Sequence, residues 1–305
     1  MRMPPETVSH AGSERRCGVE IEFAGLSIET AVTCVTALFG GEVSVDNRFV
    51  SRVRGTRSGD FTVEIDASFL QDEGYRRFLA GLGLDIDALD WRRPLEDLLL
   101  ELSAAVVPLE VCTPPLPLHE LPLVEKLIAS LRERGAQGTG RSFLYAFGMQ
   151  LNPEAAALDA GYILRMLQAY LVIARERDPR AGIDLTRRLS PFVRPFSRAF
   201  VAHFTAPDYA PDMPTLIDDY LRLNPTRNRP LDLLPLLAHL DRERVLAGCD
   251  EPHLIKPRPA FHYRLPDCHI DRPDWTLAAA WEGWLAIENL AADREALDHA
   301  LRAHG

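Results

Sequence analysis

No stretch of the 305 residues approaches the ~18 consecutive apolar positions that a membrane-spanning helix requires, and no membrane partner is expected. Basic residues are in the minority, 34 Lys and Arg against 44 Asp and Glu, and the resulting net charge of −10 argues against a nucleic-acid-binding surface. Local arginine clusters remain able to hold phosphates. Cysteine is sparse and odd in number: Cys17, Cys34, Cys112, Cys249 and Cys268 are scattered, with no Cys-x-x-Cys. That pattern argues against a disulfide framework and fits a reduced, cytoplasmic compartment. Residues 1–16 lack any apolar run and carry Pro4, Pro5, Gly12 and Ser13, which reads as a flexible leader and not a signal peptide. Gly-x-Ser-x-Gly, His-Glu-x-x-His and dinucleotide-binding fingerprints are all missing, as are internal repeats.

What is present is an ordinary globular composition, 47% hydrophobic and 26% charged, enough for one large domain or two closely packed ones. Within it, Gly18-Val19-Glu20-Ile21-Glu22-Phe23 alternates apolar and acidic residues. Successive side chains of a strand face opposite ways, which puts Val19, Ile21 and Phe23 on one side and Glu20 and Glu22 on the other. Adjacent carboxylates repel each other, whereas a hard divalent cation wants several carboxylate oxygens. A half-exposed strand with solvated acids is the bland alternative.

The chain predicts an α+β protein. Strands are expected over 16–23, 49–54, 61–69, 105–112, 142–151 and 260–265, with 49–54 and 61–69 joined through the Gly55 to Asp60 hairpin signal. Helical spacing covers 27–39, 91–103 and 119–134, the last closed by Gly135. Asn152-Pro153-Glu154 is expected to open a helical insertion of about 153–248, comprising helices over 160–177, 191–204, 213–223 and 231–246. A helical tail is expected from about 276 to 305. Residues 17–305 are thus expected to form a single domain.

The strands share a chemical pattern beyond their periodicity. Phe61 to Ser68 places Glu64, Asp66 and Ser68 opposite Val63 and Ile65. Leu109 to Cys112 offers Glu110; Gly148 to Asn152 offers Gln150 and Asn152; Phe261 to Arg264 offers His262 and Arg264. Five strands alternate an apolar side with acid, amide or cation. Gathered in one curved sheet, their polar faces form a floor suited to metal and phosphate.

These residues also resemble the motifs of the amidoligase family, carboxylate–amine ligases related to glutamate–cysteine ligase and glutamine synthetase. The family pattern is G-x-E-x-E, here Gly18 to Glu22, then D-x-S, here Asp66-Ala67-Ser68, then E-x-x-[ST]-P-P-L, here Glu110 to Leu116. Gly148 to Asn152 is similar to the fourth motif, where relatives often carry His. Phe261 to Arg264 is similar to the late strand, where Glu-x-Arg is common. The resemblance spans about 17–266 and implies a curved, mainly antiparallel catalytic sheet with inserted helices. It implies an enzyme that uses ATP and magnesium (or manganese) to activate a small-molecule or peptide carboxylate as an acyl phosphate, which an amine then attacks. On this reading Glu20, Glu22, Glu110, Gln150 and His262 are metal candidates. Arg264 would stabilise the transferring phosphoryl group, with Glu64 or Asp66 receiving the amine proton. Ser68, Asn152, Arg227, Arg229 and Arg264 would lie on the nucleotide side, since Arg227-Asn228-Arg229 resembles a basic segment that relatives place near nucleotide. Phosphotransfer without ligation and a non-catalytic scaffold remain alternatives, and self-association is left open.

Other features carry bland readings. Arg52, Arg54 and Arg57 fit a solvated hairpin edge. The Gly135 to Ser142 stretch lacks a P-loop lysine and precedes a strand, so it reads as a joint. Cys249, His253, Cys268 and His269 fit a zinc tetrahedron badly. Trp281 and Trp284, three apart, read with Trp275 as helix packing.

Overall fold

A computed structural model describes residues 1–47, 49–65, 108–139, 148–176, 194–265 and 267–304. Asp66, Ser68, the helix expected over 91–103 and the start of the strand expected from 142 lie outside these described residues. The described strands are β1 (Arg16–Phe23), β2 (Glu42–Asn47), β3 (Val50–Thr56), β4 (Gly59–Ile65), β5 (Leu109–Cys112), β6 (Leu116–Pro117), β7 (Met149–Pro153), β8 (Leu231–Asp232) and β9 (His262–Leu265). The described helices are α1 (Ile28–Phe39), α2 (Leu121–Glu133), α3 (Ala160–Glu176), α4 (Arg198–Phe204), α5 (Met213–Leu223), α6 (Leu234–Leu240), α7 (Arg242–Gly248), α8 (Leu277–Ala292) and α9 (Arg294–His304).

The strands form one open sheet in the order β2-β3-β4-β5-β1-β7-β9-β8, with β6 beside β1, and every pairing is antiparallel. The fold is therefore α+β, with β1 near the centre. Val19, Ile21, Phe23, Val63, Val111, Met149, Leu151 and Phe261 are fully buried on one side of it. Helices cover that side. Phe39 of α1 packs on Phe61 (ring centroids 4.5 Å apart), and Trp284 of α8 packs on Phe261 (5.4 Å) and Tyr263 (5.6 Å). Burying such rings supplies most of the attraction between sheet and helices. Trp281 and Trp284 are indeed buried packing residues. No described helix is long and apolar enough to cross a membrane, and all five cysteines are free.

Local chemistry fixes the element ends. The Ser27 hydroxyl accepts from the Thr30 amide at 3.2 Å, and Gly40, at φ 73°, ends α1 in the left-handed region that favours glycine. Asp212 caps α5 in the same way through Thr215 at 3.0 Å.

Three sequence expectations need correction. Asn152 and Pro153 extend β7 instead of opening a helix, and the Pro153 carbonyl accepts from the Phe261 amide at 3.0 Å. The run from 231 is not one helix. It begins as β8, where Asp232 Oδ1 accepts from the Leu234 amide at 2.9 Å, and it breaks again at Asp241, which caps α7. The leader is anchored, not frayed. Arg15 is fully buried and binds both carboxylate oxygens of Glu288 at 2.7 and 2.8 Å, as well as the carbonyls of Glu6 and Glu154. The carbonyl of Arg2 accepts from Trp281 Nε1 at 2.9 Å.

Candidate active site on the polar face of the sheet

The other side of the sheet carries the candidate site residues. Register pairing places Arg52, Thr62, Cys112, Glu20, Gln150 and Arg264 in one continuous rung across β3, β4, β5, β1, β7 and β9. The neighbouring rung holds Glu64, Glu110 and Glu22 on β4, β5 and β1. Residues far apart in sequence thus converge because they share strand polarity and adjacent strands. Acids occupy β4, β5 and β1; β7 adds the amides Gln150 and Asn152, β9 adds His262 and Arg264, and β8 adds the acid Asp232 at the far end.

In the acidic half, ligand atoms of Glu64, Glu110 and Cys112 lie within 4.8 Å of one another. It is the only such grouping among the described residues, so Cys249, His253, Cys268 and His269 form no zinc site there. Burial pushes the Cys112 thiol well above its usual range, and Glu110, Glu20 and Glu64 add to the shift. A protonated thiol is a poor ligand, so the usable donors are carboxylate oxygens, the set a hard cation such as magnesium prefers. Glu22 stands beside them, opposite Glu110 in the ladder. Its Oε2 accepts from the Gly148 amide at 2.6 Å and its Oε1 from Gln150 Nε2 at 3.0 Å. Glu20 is bound by Asn152 Nδ2 at 2.8 Å.

The cationic half is more deeply buried. Arg264 is 5% exposed; its Nη1 donates to Gln150 Oε1 at 3.4 Å and its Nη2 lies 3.9 Å from Asp232 Oδ2. Burial lowers the Arg264 pKa, opposed chiefly by Asp232, and burial likewise raises that of Asp232, opposed chiefly by Arg264. His262 donates from Nε2 to Gln150 Oε1, while its Nδ1 is 3.4 Å from Arg264 Nη2 and 3.5 Å from Asp232. Burial, then Arg264, Arg258 and Arg227, hold its pKa well below the usual imidazole value, so the ring is neutral near pH 7.

The expected residues are thus distributed unevenly. Glu20, Glu22, Glu64, Glu110, Gln150, Asn152, His262 and Arg264 all lie on the one face. Gln150 and His262, expected as metal ligands, are bound to each other, Gln150 also reaches Glu110 at 3.5 Å, and His262 is not in the grouping of Glu64, Glu110 and Cys112. Arg227 influences Asp232, His262 and Arg264 electrostatically, whereas Arg229 turns its guanidinium over the Phe196 ring, 5.7 Å from the centroid. Arg52 and Arg54 pair with Asp46 on the exposed hairpin. Two participants were missed. Asp232 was hidden in an apolar run, and Arg258 sits in a loop before β9, where Lys256-Pro257-Arg258-Pro259 offered only local charge as a signal. Arg258 Nη2 donates to Asn152 Oδ1 at 2.7 Å.

Residues 13–286 match the sequence profile of a family described as "Putative amidoligase enzyme". The chain belongs to this amidoligase family. No curated protein and no solved structure matches it significantly. The amidoligase profile covers every described strand and the whole polar face, so family membership and the floor of acids and cations concern the same part of the chain. Membership points to a ligase.

Proposed function

We propose that this amidoligase is an ATP-dependent carboxylate–amine ligase that forms an amide through an acyl phosphate. The observation that carries the reading is the division of one sheet face into an acidic rung, Glu64-Glu110-Glu22, and a cationic end built on Arg264. Amide formation from a free carboxylate in water is uphill, so the acid must first be activated, and transferring a phosphoryl group requires its charge to be met from both sides.

The donor set fits magnesium, or manganese, with Glu64 and Glu110 as its holders and Glu22 next to them. The cation, when bound, supplies charge neutralisation for phosphate oxygens. Arg264 faces the acids with a planar, permanently charged fork suited to phosphoryl oxygens. Arg227 and Arg258 extend that positive field towards the nucleotide. Neutral His262 and Gln150 hold the Arg264 guanidinium from one side, which orients it without cancelling its charge. A carboxylate of the acidic half that does not hold metal would accept the proton lost by the attacking amine.

The test is ADP release from ATP by the purified chain in magnesium buffer, scanned over a panel of carboxylates and amines. Release that requires one acid and one amine together, with stoichiometric amide product, supports the reading. Phosphate transfer that needs no amine would replace it with a phosphotransferase, and a chain that binds neither nucleotide nor magnesium would replace it with a scaffold.

A further inference from the structure

Strand β7 separates the acidic and cationic halves, and the two side chains it gives to the polar face are both neutral amides. Gln150 directs Nε2 at Glu22 Oε1 (3.0 Å) and Glu110 Oε1 (3.5 Å), while its Oε1 accepts from Arg264 Nη1 (3.4 Å) and from His262 Nε2. Asn152 directs Nδ2 at Glu20 Oε1 (2.8 Å), and its Oδ1 accepts from Arg258 Nη2 (2.7 Å). Both amides are therefore oriented alike, amino group to the acids and carbonyl to the cations. An amide is the side-chain group that satisfies a carboxylate and a guanidinium at once while carrying no charge. Gln150 is 7% and Asn152 9% exposed, so these bonds act where screening by water is weak.

The cations keep unmatched donors even though Arg264 already lies 3.9 Å from Asp232 on its own side of the floor. The Nε atoms of Arg258 and Arg264 are buried and without a hydrogen-bond partner among the described residues. A buried donor left unmatched is costly, and two such donors on one end of one face mark guanidinium groups held for something else. A carboxylate in place of either amide would pair with them directly, because it adds the attraction of a full opposite charge, and a bidentate geometry, to a bond the guanidinium already makes.

We propose that Gln150 and Asn152 are positioning residues, neutral spacers that keep Arg264 and Arg258 from closing ion pairs across the floor and so leave them available to an anionic ligand of the phosphate class. The class of ligand rests on the ligase reading above; the spacer role rests on the hydrogen bonds alone.

The experiment uses the full chain with the near-isosteric variants Gln150→Glu and Asn152→Asp, together with Arg258→Gln and the Asn152→Asp/Arg258→Gln double variant. Calorimetry measures binding of ADP in magnesium buffer, with inorganic phosphate as a simpler probe, and thermal melting is recorded without ligand. Gln150→Glu and Asn152→Asp are each expected to weaken ADP binding at least ~10-fold, since a new internal pair replaces the ligand. Arg258→Gln is expected to weaken binding in the wild-type background and to add nothing to Asn152→Asp. In melting, Asn152→Asp should fare better with Arg258 present than without it, by about 2–4 °C. Wild-type affinity in both carboxylate variants, or strict additivity of the Asn152 and Arg258 changes, overturns the proposal. If the unmodified chain binds neither ADP nor phosphate, the ligase reading fails, and the melting cycle still decides the spacer role: coupling supports it and additivity overturns it.

Discussion

Glu22 and Glu110 stand directly opposite each other in the antiparallel ladder between β1 and β5, although the sequence between them includes α1 and three further strands. Like charges directly opposite on one sheet face destabilise it, a cost to the fold that the proposed cation would offset. Glu110→Gln keeps the shape and removes one charge. Magnesium-dependent ADP release is expected to fall at least ~100-fold, since a metal contributes several kcal/mol to stabilising the transferred charge. Chemical denaturation in metal-free buffer should show a stability within about 1 kcal/mol of the unmodified chain, or above it. A strongly destabilised Glu110→Gln protein would make the residue structural.

Arg264→Lys is expected to keep the fold and a positive charge yet slow phosphoryl transfer about 10- to 100-fold, through loss of charge-assisted hydrogen bonds that a lysine cannot place. The Arg264 fork reaches Gln150 and His262 from two different nitrogens, a geometry the ammonium does not reproduce. Turnover at the unmodified rate, with acid and amine present, would remove Arg264 from the mechanism.

Neutral, buried His262 makes stability depend on pH. Its folded pKa lies well below 6.5, so between the two values the unfolded chain binds a proton that the folded chain does not. Stability from this group is complete above pH ~6.5 and is lost as pH falls below it, with a slope of up to about 1.4 kcal/mol per pH unit. Asp232, raised above its ordinary 3.8, has the opposite sign: its contribution is complete below the unfolded value and is lost as pH rises towards the folded one. Melting curves between pH 7.5 and 5.5 should therefore show an acid-side loss that His262→Gln reduces. An unchanged slope in that variant would place the loss elsewhere.

The Arg15–Glu288 pair should behave as a buried ion pair whose partners depend on each other. Arg15→Met leaves the Glu288 carboxylate buried without its cation, at a cost of about 3–5 kcal/mol. Adding Glu288→Gln removes the stranded charge while keeping an acceptor for Trp284 Nε1, and is expected to recover most of the loss. Equal destabilisation by the single and double variants in urea titrations would contradict this.

Much of the site was legible because strand alternation is a local property. β1 has the bounds its Val19, Ile21 and Phe23 pattern predicts, and Glu64, Glu110 and Gln150 follow from the same period of two. What stayed hidden depended on partners distant in sequence. Burial of Arg15 is intelligible only once Glu288 is seen beside it. Asp232 lies in a run whose apolar residues suit a helix, and a two-residue strand is too short to show any periodicity. Arg258 belongs to a loop, where position is set by the Pro235 and Asn152 groups that bind it and not by its neighbours. β2 has no buried face at all: Val43 and Val45 are exposed, so the alternation that marks its neighbours carried no core signal there.

The central place of β1 has a consequence for synthesis. It precedes every other described strand, yet its ladder partners β5 and β7 come much later, Leu109 lying 86 and Met149 126 positions after Phe23. At ~5–20 residues per second, the ribosome takes roughly 6–25 s to cover that distance. Until β5 is made the nascent strand presents two unpaired edges, and until β7 is made one, together with the apolar row Val19, Ile21 and Phe23, a template for aggregation. Chaperones that hold emerging chains, more than the stability of the finished sheet, are therefore expected to set how much of this protein reaches its native state in a cell.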